Sequence, residues 1–163
     1  MKISVVLCTF NGESFIEEQL KSIARQTRVP DEVLIFDDRS TDSTIEVAES
    51  VCASSEINAL ISINENRLGV EENFSRAMCK ARGDLIFFCD QDDVWLPEKV
   101  EKMSKPFQED KKVSLVYSDG YIVGYNTQAT PKDKDDPRST RLLDRKIKDY
   151  LFKNIFPLFS KKK

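Results

Sequence analysis

Ile3-Ser4-Val5-Val6-Leu7-Cys8-Thr9, with Asn11-Gly12 just beyond it, is the stretch that decides the fold. It is short, apolar and rich in β-branched residues. A run without polar alternation suits a strand covered on both faces, as in a parallel sheet. Asn11-Gly12 breaks the run, and Phe15, Ile16, Leu20, Ile23 and Ala24 then recur at helical spacing, with Glu17, Glu18 and Lys21 facing water. Pro30 closes this unit. Val33-Leu34-Ile35-Phe36 reads as a second strand running directly into Asp37-Asp38.

The alternation continues along the chain. Ser40-Thr41-Asp42 supplies N-cap chemistry for a helix carrying Ile45, Ala48 and Cys52. Ala59 to Ile63 is a weaker third strand. A third helix places Val70, Phe74, Ala77, Met78 and Ala81 on one stripe, with Gly83 as its expected C-cap. Leu85 to Cys89 is a fourth strand, and Pro97 opens a fourth helix bearing Val100, Met103 and Phe107. Val113 to Tyr117 is expected as a fifth strand, with Tyr121-Ile122-Val123 continuing it or pairing beside it. The βα alternation predicts an α/β fold with a mostly parallel, Rossmann-like sheet flanked by helices. Such sheets bind ligands beyond the carboxyl ends of their strands. That rule selects Thr9-Phe10-Asn11, Asp37-Asp38, Asn66-Arg67 and residues 90–93 as the positions for chemistry.

Composition narrows the chemistry. The 163 residues are 40% hydrophobic and 33% charged, an ordinary globular balance for one domain. No run approaches the ~20 apolar residues of a membrane-spanning helix. Nothing at the start reads as a secretory signal, and a cytoplasmic location fits. The four cysteines, Cys8, Cys52, Cys79 and Cys89, form no C-x-x-C pair and are expected as small core residues. The chain has no histidine, so Ser-His and Cys-His mechanisms and histidine-ligated zinc are excluded. Residues 1–131 carry 14 Lys+Arg against 23 Asp+Glu, a net charge of −9, whereas residues 132–163 carry 11 against 5, a net of +6. An acidic body argues against nucleic acid as a partner. Residues 127–163 read as a charged, proline-punctuated linker and a basic, aromatic tail, which leaves a first domain of 1–126. The tail has three readings: the start of a further half-domain, a protein-docking segment, or peripheral contact with an anionic membrane surface.

Asp90, Asp92 and Asp93 give the sharpest signal. Three carboxylates within four residues repel one another unless something positive lies between them. In extended backbone Asp90 and Asp92 point the same way. A hard divalent cation, completed by phosphate oxygens, satisfies that arrangement; an acidic turn leading into a helix is the plainer reading. Asp37 and Asp38 have two readings of equal standing: acceptors for a nucleobase or ribose, or turn and capping groups. Thr9 and Asn11 bracket a strand–helix turn whose amides favour an anion. Arg67 reads as a contact to base or phosphate, or as a solvated surface arginine. Neither G-x-G-x-x-G nor the P-loop motif occurs, which removes the main support for dinucleotide-cofactor and P-loop readings. A receiver-like signalling domain expects paired acids after the first strand, where Thr9-Phe10-Asn11 stands instead.

Taken in order, Val5-Val6-Leu7-Cys8-Thr9-Phe10-Asn11-Gly12, Asp31-Glu32-Val33-Leu34-Ile35-Phe36-Asp37-Asp38-Arg39-Ser40-Thr41-Asp42, Asn66-Arg67-Leu68-Gly69, Ala81-Arg82-Gly83-Asp84 and Phe88-Cys89-Asp90-Gln91-Asp92-Asp93-Val94-Trp95-Leu96-Pro97 resemble family 2 glycosyltransferases. The Asp-Gln-Asp-Asp-Val-Trp variant looks most like the bacterial rhamnosyl-type enzymes of surface-polysaccharide synthesis. The resemblance implies a GT-A fold. It also implies metal-dependent, inverting transfer from a nucleoside-diphosphate sugar (a UDP- or dTDP-sugar) to a glycan or lipid-linked acceptor; the membrane reading of the tail would place a cytoplasmic protein at the inner face of the membrane. By position, Thr9, Asn11, Asp38 and Arg67 would line the nucleoside pocket, with Asp37 a fifth member. Asp90 would lie near the ribose and metal, Asp92 would coordinate Mg²⁺ or Mn²⁺, and Asp93 would support that loop or touch the donor sugar. Family members continue into an acceptor-binding half that carries the catalytic base. Here that half is expected to be missing or incomplete, leaving the base unassigned and Asp119 the nearest carboxylate to nominate. The alternative is a truncated, non-catalytic fragment that binds only nucleotide or a partner.

Overall fold

The computed structural model describes residues 1–118 and 120, and the backbone of residues 121–122 and 140–141. The chain divides into two units, Met1–Ser114 and Leu115–Lys163. The first is a βα alternation: β1 (Ile3–Thr9), α1 (Ile16–Ala24), β2 (Glu32–Asp37), α2 (Thr44–Ser54), β3 (Ala59–Ile63), α3 (Val70–Lys80), β4 (Leu85–Asp90) and α4 (Lys99–Glu109). The four strands form one sheet in the order β3-β2-β1-β4, and every pairing is parallel.

Strand alternation distributes β1 between two cores. Ile3, Val5 and Leu7 point to one face, where they join Val33, Ile35, Phe87 and Cys89 and are covered by Ile16, Leu20 and Ile23 of α1, Ala48 and Val51 of α2, and Val100 of α4. Val6 and Cys8 point to the other face, with Leu34 and Phe36, and are covered by Ala77 and Phe74 of α3. All seven residues of β1 are buried, as a strand sandwiched between helical layers requires.

Four expectations need correction. Gly83 does not cap α3: Ala81 ends it in extended backbone, because the Gly83 N–H is drawn to Ser4 Oγ at 2.8 Å. Residues 113–117 form no strand. Leu115 and Tyr117 stay 44% and 51% exposed. Tyr121–Ile122 (β5) instead pairs antiparallel with Thr140–Arg141 (β6) within the second unit. Cys8 and Cys89 are buried and Cys52 is half-buried, but Cys79 faces solvent on α3. Apart from the β6 backbone, the linker and tail expected from residue 127 lie outside the described residues, as does the nominated Asp119.

Candidate nucleotide-sugar site

The residues selected by the strand-end rule meet at one edge of the sheet. Thr9 and Asp37 are register partners on β1 and β2. The Thr9 hydroxyl donates to Asp37 Oδ1 at 2.8 Å, and Asp37 also accepts the Ser40 N–H at 2.8 Å and the Ser40 hydroxyl. Asn11 takes a left-handed backbone (φ 48°), which asparagine tolerates better than most residues. That turn aims its N–H at Ser40 Oγ (2.8 Å) and its Oδ1 at the Thr41 N–H (2.9 Å). The first two loops are thereby clasped. Asp42, from the expected capping triplet, accepts the Thr44 N–H at the start of α2.

Asp38 clasps the third loop. Its carboxylate accepts the Asn64 amide at 2.9 Å, the Leu68 N–H at 2.7 Å and the Gly69 N–H at 2.8 Å. Burial opposes its charge, but these donors and the nearby Arg67 guanidinium outweigh burial and hold the carboxyl below its ordinary range. Gly69, at φ 84°, turns the chain into α3 in a conformation that favours glycine. Behind it, Asn64 bonds Asn73, and Asn73 donates to the Phe36 carbonyl. Arg67 lies over the Phe10 ring, 3.8 Å from its centroid, so the third loop also packs on the first.

The fourth loop carries the acids. β4 ends at Asp90 and a turn follows at Gln91 and Asp92, so Asp90 and Asp92 are not same-face neighbours on one extended strand, contrary to the extended-backbone expectation. All three carboxylates keep solvent access. Even so, partial burial, then Asp93 and Asp92, raise the Asp90 carboxyl above its ordinary range. Partial burial also raises Asp93, against the opposing charge of Lys99 and with the like charge of Asp92. Among the described residues, no three Asp, Glu or Cys side chains converge as a complete metal cage. Downstream, the segment is fastened to α1. The Trp95 N–H donates to Ser22 Oγ at 3.0 Å. Gln26 donates to the Leu96 carbonyl at 2.8 Å and accepts the Val100 N–H at 2.9 Å, capping α4. Trp95 itself is buried against Phe87, with the Lys99 ammonium 4.9 Å from its ring centroid.

Asn64 escaped the sequence reading, and Phe10 and Gln91, inside the selected loops, and Ser40, inside the capping triplet, were given no clasping role; all four hold the loops together through partners distant in sequence. Asp37 and Asp38, read as either ligand groups or turn groups, spend their carboxylates on neighbouring loops.

The family model described as glycosyl transferase family 2 matches residues 4–161. The chain is 42% identical over 100 residues to the dTDP-rhamnosyl transferase RfbG of Shigella flexneri, covering 58% of this chain and 34% of that protein. It superposes on S. aureus TarS 1-349 in complex with UDP with a TM-score of 0.61 and 32% identity, over 67% of this chain and 32% of that one. It also superposes on glucosyl-3-phosphoglycerate synthase from Mycobacterium tuberculosis, in complex with Mn²⁺, UDP and phosphoglyceric acid. There the TM-score is 0.54 and the identity 29%, over 65% of this chain and 38% of that one. The chain spans about a third of the length of each of these three proteins.

Proposed function

The chain belongs to glycosyl transferase family 2 and has its GT-A fold, and we propose that it forms the donor-binding part of a metal-dependent, inverting transferase. The donor is a nucleoside-diphosphate sugar, with a UDP- or dTDP-sugar favoured by the relatives. The acceptor is a glycan or lipid-linked saccharide at the inner face of the membrane, where the basic tail gives peripheral contact. One observation carries the reading: the loops after all four strands are clasped into a single rim, with the Phe10 ring and Arg67 stacked beside an acidic turn.

Thr9, Asn11, Asp37, Asp38 and Arg67 build the nucleoside side of the rim. Thr9, Asp37 and Asp38 set its shape through their internal bonds, while Arg67 offers a guanidinium for phosphate or base. Asp90 and Asp92 supply hard oxygen donors, and Asp93 supports the turn or meets the donor sugar. Mg²⁺ and Mn²⁺ sites that share substrate phosphates need only one or two carboxylates, so this donor set fits such an ion without a three-residue cage. Burial, and then the like charges of Asp93 and Asp92, raise Asp90, and such a carboxyl suits a place where positive charge is welcome. When bound, the ion would offset charge on the departing diphosphate.

Calorimetric titration with UDP, dTDP and GDP, with and without Mn²⁺, tests the reading. Mn²⁺ should tighten diphosphate binding. Asp92→Asn should lose that gain, by about tenfold or more, and keep the metal-free affinity. An equal loss in both conditions would mean that Asp92 serves folding alone. A second reading is binding without turnover; labelled nucleotide sugar bound without transfer or hydrolysis would select it.

A further inference from the structure

Gln91 stands between Asp90 and Asp92, and its side chain is turned away from them, toward the first loop. Its Oε1 accepts the Phe10 N–H at 2.9 Å, and its Nε2 donates to the Phe10 carbonyl at 3.2 Å. One amide therefore satisfies both main-chain polar groups of a residue 81 positions away, much as a neighbouring strand would. The amide rests on Gly12. A Cβ there would lie 2.2 Å from Oε1 and 2.5 Å from Cδ, so any larger residue evicts it. Phe10, gripped along its backbone by Gln91, carries Arg67 on its ring. The acidic turn and the nucleoside loop are thus joined through one side chain and its glycine seat.

We propose that Gln91, seated on Gly12, is a positioning residue that couples the two halves of the site, so that the divalent ion and the nucleoside diphosphate bind as one event. This rests on the donor-site reading above. An amide suits the task better than a carboxylate. It offers one donor and one acceptor to match the Phe10 N–H and C=O, and it adds no charge to a turn already crowded with three acids.

The test is a binding cycle on the full chain with UDP and dTDP as probes, with and without Mn²⁺, accompanied by hydrogen exchange of the Phe10 amide. Gln91→Met keeps the volume and removes both bonds; Gly12→Ala keeps Gln91 but blocks its seat. Each should cut the Mn²⁺-dependent gain in affinity by about tenfold, the scale of two lost hydrogen bonds, and should speed exchange at Phe10. The double variant should lose little more than either single one, because both break the same contact. Faster exchange at Phe10 with the Mn²⁺ gain intact would overturn the coupling and leave the donor site standing. Equal losses with and without Mn²⁺ would reduce Gln91 to a packing role. A wild-type chain with a protected Phe10 amide and no Mn²⁺ gain would sink the donor-site reading itself, and the coupling with it.

Discussion

Asp38 and Asp90 sit at the same rim with opposite electrostatics. Three donors and Arg67 hold Asp38 below its ordinary range, so its charged form favours the folded state. A depressed carboxyl contributes stability that is present above the unfolded value, about 4, and lost as the pH falls through the folded value. Asp38→Asn should therefore cost about 1–3 kcal/mol at pH 7, in the range of hydrogen bonds to a buried charge, with the gap closing in acid. Urea unfolding across pH 3–7 reads this directly. Asp90 is raised by burial and by its acidic neighbours, so its contribution has the reverse sign: the folded state prefers the protonated form, and the penalty grows as the pH rises above the unfolded value, about 4. Asp90→Asn should raise Tm at pH 7, lose that advantage below about pH 4, and lose Mn²⁺-dependent nucleotide binding. A destabilised neutral-pH melt would contradict the electrostatic account. The acids themselves were legible because carboxylates clustered after a strand are unusual. Gln91 was given no role, because a glutamine has no pattern of its own and its partner lies 81 residues away in sequence.

At the scale of elements, apolar periodicity located all eight strands and helices of the first unit, and β1 fell within the residues read from the sequence. Residues 113–117 do not form the expected strand, since apolar composition marks what can be buried and does not by itself set a ladder. Gly83 illustrates the same gap: its position suggested a helix cap, but the structure uses its missing side chain to admit β1. A Cβ at Gly83 would lie 2.6 Å from the Ser4 nitrogen and hydroxyl. Gly83→Ala should cost about 1–3 kcal/mol, as overpacking against backbone does, and thermal melts would show it. A neutral substitution would mean that the α3–β4 connection moves aside easily.

For the molecule as a whole, parallel pairing explains why the candidate binding residues collect at one edge. Every strand of the β3-β2-β1-β4 sheet ends there, and every connecting helix returns the chain to the far side. Topology of this kind was readable from βα alternation alone, and family membership agrees with it. The clasps among the loops were not readable, since they join side chains to backbone or to other side chains across 26 to 81 residues of sequence. The burial of Trp95 has a practical corollary. It is the chain's single tryptophan, three positions beyond Asp92, packed on Phe87 with an ammonium over its ring. Ultraviolet excitation of this protein consequently reports from one indole adjoining the acidic turn. The molecule carries its own optical label where ions and nucleotides are expected to arrive.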